Sequence, residues 1–381
     1  MSLIVPAVPK VEWDIVPLGN VATLVNGRAY KKAELLDEGT PVLRIQNLNG
    51  GSRWFYSDLQ LPPDKYCDED DLLFAWSASF GPYIWNGPKA IYHYHIWKVI
   101  PGPRLDKRFA FRLLGFLTQS VKGAAHGVAM LHITKGKMEA WEIPLPPLPE
   151  QKRIAKILDQ ADALRAKRRE AIAKLDTYLQ STFLDMFGDP VTNPKGWEVK
   201  KLGEIGKVQT GSTPSSKLYG AFNGEVPFVT PGDLYDTWVV SKRTLTPLGA
   251  SHSRIVERGA TFVCCIGATI GKMGKASQLS AFNQQINSVS WGNKMEPDWG
   301  LEMLKFFKGK IAKEGASTTL PILKKSSFQK LTVPIPPLPL QKQFADIVTK
   351  VEAQKQQMRD HLTQLDTLFA SLQSRAFNGE L

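Results

Sequence analysis

Six histidines, three cysteines and no long apolar run leave this 381-residue chain short of several kinds of chemistry. Cys67, Cys264 and Cys265 make no disulfide framework and have no zinc-site spacing, so a reducing compartment, the cytoplasm, is expected. The longest apolar stretches, residues 96–100 and 261–266, fall far short of the roughly 20 residues that a bilayer-spanning helix needs. The opening MSLIVPAVPK has no charged n-region and no continuous apolar stretch, so no secretion signal is expected. Acidic residues are in deficit: 36 Asp and Glu against 48 Lys and Arg leave a formal charge of +12. That imbalance points to a polyanionic partner, nucleic acid first and an anionic membrane surface second. What is present, 43% hydrophobic and 22% charged residues, is the profile of a globular protein with room for two or three domains.

The chain repeats itself. Residues 143–189 and 333–379 align at a constant offset of 190 without a gap, with 16 of 47 positions identical. The identities include Pro144/Pro334, Gln151/Gln341, Lys152/Lys342 and the triplet Leu175-Asp176-Thr177 against Leu365-Asp366-Thr367. The same offset gives 7 identities in 47 over residues 72–118, among them Gly81/Gly271, Ile96/Ile286 and Phe116/Phe306. Near the start, Trp13, Leu18, Gly19 and Gly27 match Trp197, Leu202, Gly203 and Gly211 at an offset of 184, so small insertions lie between. Two copies of one unit, residues 12–189 and 196–381, each consist of a divergent globular part and a better-matched tail.

The globular parts carry short β-branched and aromatic runs at residues 41–45, 72–76 and 95–100, then at 226–229, 261–266 and 286–291. Gly, Pro and Asn clusters separate them, as between strands, and helices are expected near 107–121 and 298–312. Each tail opens on a proline run, PLPPLP or PIPPLP, whose last proline suits the first turn of a helix. Apolar residues then recur at 154, 157, 161, 164, 171/172, 175 and 178/179, and at 344, 347/348, 351, 358, 362, 365, 368 and 372. Three-four spacing predicts two helices of about 36 residues, or about 54 Å, each with an apolar stripe that seeks the other as partner.

A proline run opening a long helix, twice, each time after a variable domain of about 150 residues, resembles the specificity subunits of type I restriction-modification systems. The likeness spans essentially the whole chain; Leu340 stands where the first copy has Glu150. It implies an α+β fold of two pseudo-repeated α/β target-recognition domains joined by two long antiparallel coiled-coil helices. The expected boundaries are 1–149 for the first recognition domain, 150–189 for a central helical spacer, 190–339 for the second domain and 340–381 for a C-terminal spacer. The resemblance further implies that each domain reads half of a bipartite, asymmetric site in double-stranded DNA. Two methyltransferase subunits would dock on the helices, restriction subunits would complete the complex, and methylation and ATP-driven cleavage would belong to those partners.

Nothing in the chain suggests chemistry of its own, and no cofactor or metal is expected. Asn193-Pro194-Lys195-Gly196 lacks the second proline and the aromatic of an adenine methyltransferase tetrapeptide and reads as a turn. Residues 267–273 fall one residue short of a phosphate loop and have no Ser or Thr after Lys272. His93 and His95, two apart on an expected strand, would face one side, but no third metal ligand is in sight. A stand-alone nuclease or methyltransferase would explain the basicity alone, and an assembly protein that never touches DNA would explain the helices alone.

Base readout needs short or forked polar side chains at loop tips, backed by Lys and Arg on phosphates. The first copy offers Arg28, Lys31 and Lys32, then Arg44, Gln46 and Asn47, then His126, His132 and Lys135. The second offers Thr213, Ser215 and Lys217, then Thr230 and Asp233, then Lys272, Asn283 and Gln284, and finally Thr318 and Lys324.

Overall fold

The computed structural model describes residues 13–77, 79–124, 133–315 and 321–381. The chain divides into two compact units, one of residues 1–169 with 360–381 and the other of residues 170–359. Arg169 and Arg359, where the division falls, are equivalent positions of the repeat.

In the first unit the strands are β1 (Asp14–Pro17), β2 (Ala22–Asn26), β3 (Thr40–Leu43), β4 (Phe55–Ser57), β5 (Tyr66–Cys67), β6 (Leu72–Ala75), β7 (Gly81–Ile84), β8 (Ala90–Tyr92), β9 (Ile96–Pro101) and β10 (Glu142–Leu145). Its helices are α1 (Ile45–Leu48), α2 (Lys107–Ala124), α3 (Lys135–Glu139) and the first half of α4 (Leu148–Phe187). Two four-stranded sheets, β2-β9-β6-β7 and β4-β3-β8-β5, stand beside a β1-β10 ribbon, and the β3–β8 pair alone is parallel. Strand β6 is buried on both faces, which explains why its sequence LLFA does not alternate with polar residues. Leu72 and Phe74 join a core with Trp97, Phe109, Leu114, Ile154 and Phe377, while Leu73 turns to a smaller core with Leu43, Tyr92 and Ile96. Each such fully buried side chain contributes about 1.5–3 kcal/mol.

The second unit repeats this plan. It has β11 (Glu198–Lys201), β12 (Gly206–Thr210), β13 (Phe222–Val229), β14 (Leu234–Tyr235), β15 (Trp238–Val239), β16 (Thr244–Leu245), β17 (Arg254–Val256), β18 (Thr261–Cys264), β19 (Met273–Lys275), β20 (Ser280–Phe282), β21 (Ile286–Trp291) and β22 (Thr332–Ile335). Its helices are α5 (Leu202–Ile205), α6 (Pro247–Ser251), α7 (Pro297–Phe306), α8 (Lys308–Gly315), α9 (Lys325–Gln329), the second half of α4 and the first half of α10 (Leu338–Phe377). Sheets β12-β21-β18-β19 and β16-β13-β20-β17 reproduce the first unit's strand order, again with one parallel pair, β13–β20. The β14-β15 hairpin has no counterpart and accounts for part of the drift in offset.

The strands expected from the sequence are present. The helix expected at 298–312 is two helices, α7 and α8, divided at Phe307, which is buried. The proline runs begin as strand: Pro144 sits opposite Ile15 and Pro334 opposite Val199 in two-stranded ribbons, where a missing N–H faces no third strand. The two long helices span 40 residues each, four more than the periodicity indicates, and the Leu-Pro pair that closes each proline run, already in the first turn, supplies two of the four.

Within each unit, half of α4 packs antiparallel on half of α10. In the first, Arg165 reaches Asp366 at 2.6 Å and Arg153 bonds the Leu381 carbonyl at 2.9 Å. In the second, Lys355 reaches Asp176 at 2.6 Å and Phe183 stacks edge-on against Phe344. The seam is less apolar than the spacing suggests. Leu164, Tyr178 and Leu368 are half exposed, and no α4 residue between Leu158 and Leu179 is fully buried.

Candidate functional site

Gly27 and Gly211 directly follow β2 and β12, equivalent strands of the two units. A Cβ would sit 2.3 Å from the His93 carbonyl oxygen at Gly27 and 2.2 Å from that of Asn283 at Gly211, so only glycine lets the chain pass. Immediately beyond each glycine the backbone joins the turn between β8 and β9, or between β20 and β21. In the first unit the Arg28 amide donates to the Tyr92 carbonyl at 3.1 Å, and the His93 amide to that of Leu43 at 2.9 Å. In the second, Ser212 donates to Phe282 and Asn283 to Val229, both at 3.0 Å. Three segments therefore converge in each unit: the one after the glycine, the one after β3 or β13, and this turn.

Arg28, at the first of these segments, forks onto Glu34 at 2.8 and 3.2 Å and lies over the Tyr30 ring. Its guanidinium hydrogen-bonds the Glu34 carboxyl and holds it below the usual carboxylate range. Lys31 and Lys32 follow and are exposed. Arg44 and Thr230 are equivalent, and so are Asn47 and Asp233. The Arg44 amide donates to Asn47 Oδ1 at 3.1 Å and the Thr230 amide to Asp233 Oδ2 at 2.8 Å. Asn47 and Asp233 are buried, and these bonds close the first turn of each short helical segment. Gln46 is exposed and its amide donates to the Arg53 carbonyl.

In the second unit the Thr213 hydroxyl donates to Gln284 Oε1 at 2.6 Å, and both residues are exposed. Asn283 is buried, and its side-chain NH2 donates to Gln285 Oε1 while its Oδ1 accepts from the Gln285 amide. Lys272 donates to the Pro231 carbonyl and lies over the Tyr235 ring, which brings it beside Thr230. Ser215 and Lys217 stand further along the same loop as Thr213; the Lys217 amide bonds the Ser215 hydroxyl, and both side chains are exposed. Lys324 is exposed just before α9, after Leu323, whose amide bonds Cys265. Lys135 opens α3 and pairs with Glu139 at 3.5 Å. His126, His132 and Thr318 lie outside the described residues.

His93 and His95 are not on a strand: β8 ends at Tyr92, β9 starts at Ile96, and the three residues between them form the turn. Alternation of aromatic and β-branched residues hides that turn in the sequence, since Tyr and His carry no turn signal of the Gly or Pro kind. The His93, Tyr94 and His95 rings pack against one another with centroids 3.9–5.0 Å apart, and Trp76 meets His95 at 4.9 Å. Burial, aided by the neighbouring His95 and Arg44 charges, pushes the His93 imidazole down to about 4, so it is neutral near pH 7. Among the described residues no group of three His, Cys, Asp or Glu side chains is placed to hold a metal ion, and no helix is long and apolar enough to cross a membrane.

The family model for the type I restriction modification DNA specificity domain matches residues 10–174 and again 194–366, most of the chain. The chain belongs to that family. It is 26% identical over 176 residues to the type I restriction enzyme EcoBI specificity subunit of Escherichia coli, a stretch covering 44% of this chain and 37% of that one. To the MjaVIII specificity subunit of Methanocaldococcus jannaschii it is 27% identical over 217 residues, covering 52% and 50%. The matched stretch thus spans half or less of the length of these curated relatives. Its fold is similar to that of the type I restriction-modification system S subunit from M. genitalium, with a TM-score of 0.56 at 17% identity, covering 97% of this chain and 99% of that one.

Seen as a specificity-family chain, the molecule carries its variable chemistry on a constant frame. The segments after Gly27 and Gly211 were visible in the sequence from the repeated glycine and the adjoining polar residues. The sequence pattern at 93–95 reads as strand and the structure has a turn there, whereas the equivalent 283–285 is rich in amides and reads as a loop. The signal that finds the turn is the repeat itself, because offset 190 maps His93-Tyr94-His95 onto Asn283-Gln284-Gln285.

Proposed function

We propose that this chain is the DNA-reading, non-catalytic subunit of a type I restriction-modification complex. Each unit reads one half of a bipartite, asymmetric site in double-stranded DNA. The observation that carries the reading is the pair of units with one strand order whose convergent segments differ in side chains. Residues 1–149 and 190–339 act as the target-recognition domains, with 150–189 and 340–381 as the central and C-terminal helical spacers. Two methyltransferase subunits dock on the spacers and restriction subunits complete the complex, which works in the cytoplasm.

The net charge of +12 supports contacts to phosphates by residues such as Lys31, Lys32, Lys217 and Lys324, which are exposed beside the convergent segments. Arg28, Arg44, Gln46, Thr213, Ser215, Lys272 and Gln284 line the same segments and supply hydrogen-bond donors and acceptors toward base edges. The test is a footprint and a salt titration of the chain assembled with its methyltransferase subunits. Two separated protected patches are expected, with log K falling steeply against log salt. One continuous patch, or affinity indifferent to salt, contradicts the reading. Assembly should also be required for methylation; robust methylation by the purified chain alone would overturn the non-catalytic assignment.

A further inference from the structure

Among the three convergent segments, the turn from β8 to β9, and from β20 to β21, keeps equivalent backbone bonds in both units while all three of its side chains differ. Besides the bonds already described, Ile96 donates to the His93 carbonyl at 2.9 Å and Ile286 to that of Asn283 at 3.1 Å, while Gly27 donates to Ile96 and Gly211 to Ile286 at 3.1 and 3.0 Å. The chain path is thus held by equivalent bonds in both units. On it stand two rings and a phenol in one unit, and three amides in the other.

Within each turn the three side chains play unequal parts. Asn283 is buried and bonds Gln285, so it holds the turn closed. His93 is half-buried, packed on the Tyr30 ring at 6.4 Å between centroids. The middle residues point outward: Gln284 is exposed and Tyr94 is 40% exposed. Each is also braced. The Thr213 hydroxyl fixes the Gln284 carbonyl oxygen at 2.6 Å, and a carboxamide held by one such bond keeps its NH2 donors and a second lone pair on that oxygen for another partner. Tyr94 is braced by Trp76, whose indole N–H bonds the Tyr94 carbonyl at 2.7 Å and whose ring lies 6.0 Å from the phenol.

We propose that Tyr94 and Gln284, equivalent residues at the tips of these turns, are base-reading side chains of the two half-sites, and that Gln284 reads an adenine. An oriented, exposed amide presents one donor and one acceptor side by side, the complement of adenine's N7 and N6 amino group in the major groove. A phenol on a bed of rings offers one hydroxyl and a ring edge, so the same backbone position reads a different base in the other half-site. The inference rests on the proposed function, and its test separates the two. The chain assembled with its methyltransferase subunits is titrated against duplexes carrying every single base-pair change in the wild-type site. Gln284→Ala should lower discrimination at one adenine position of one half-site by about tenfold or more, and leave every other position and the other half-site unchanged. Tyr94→Ala should relax one position of the opposite half-site only. Gln284→Glu, which keeps the side chain's size, should move the preference at its position from adenine towards cytosine, whose N4 amino group a carboxylate accepts. Unchanged base profiles in all three variants, or a uniform loss over all sequences with unchanged melting, would overturn the assignment while leaving the proposed function standing. If Gln284→Ala lowers the melting temperature, the Gln284→Glu profile decides. A wild-type assembly with no sequence preference at all would instead remove the proposed function itself.

Discussion

Gln151 and Gln341 are both fully buried, and each ties three backbone groups together. Gln341 donates to the Pro336 and Lys294 carbonyls and accepts from the Glu296 amide; Gln151 does the same with Pro146, Arg104 and Asp106. All four positions keep the offset of 190, so the glutamine is a clamp between the proline run and the segment that follows the last sheet strand. Gln341→Ala leaves those groups unpaired in the interior and should cost about 2–4 kcal/mol, read by chemical denaturation. A loss below about 0.5 kcal/mol would mean that water or a shift of the chain replaces the clamp. The sequence marks these glutamines by identity alone. Their role was hidden because two of the three bonded partners lie 45 to 47 residues upstream. Burial at Asn47, Asp233 and Asn283 was equally invisible, since Asx side chains that close local turns have the same composition as those that meet solvent.

The paired helices show what periodicity conveys and what it leaves out. Long helices and their mutual packing follow from the three-four spacing, but the middle of the seam belongs to charges. Arg165 with Asp366 and Lys355 with Asp176 are the same pair of repeat positions with the helices exchanged. In the first unit Arg112 also grips Asp159 and Asp162 of α4 at 2.6 and 2.9 Å. The cations Arg165 and Lys355 take inner positions, while their carboxylate partners and Leu164, Tyr178 and Leu368 are half exposed. A polar seam of this kind fixes register better than leucines, which slide at little cost. Asp366→Arg sets a third cation beside Arg165 and Arg169 and should lower stability by about 1–2 kcal/mol, a modest figure because Asp366 is 44% exposed. Adding Arg165→Asp to that variant should recover most of the loss in a double-mutant cycle. Recovery of nothing would show that the pair does not set the register.

For the whole molecule, the sequence disclosed the duplication, the alternation of divergent and shared parts and the strand positions, because those follow from local pattern and self-similarity. It could not disclose which loops meet, since residues 28, 44 and 93 come together through the parallel β3–β8 pairing and the Arg28–His93 bridge. The shared parts, with 16 of 47 identities in the tails, suit a common docking role. The divergent parts, with 7 of 47, suit two different base sequences. The claim that the two units read separate half-sites is tested most directly by replacing residues 12–142 with the equivalent domain of a relative. The hybrid is assembled with its methyltransferase subunits and the methylated sites are mapped. One half-site should change and the other should stay as it was; a change in both halves together would contradict the modular account.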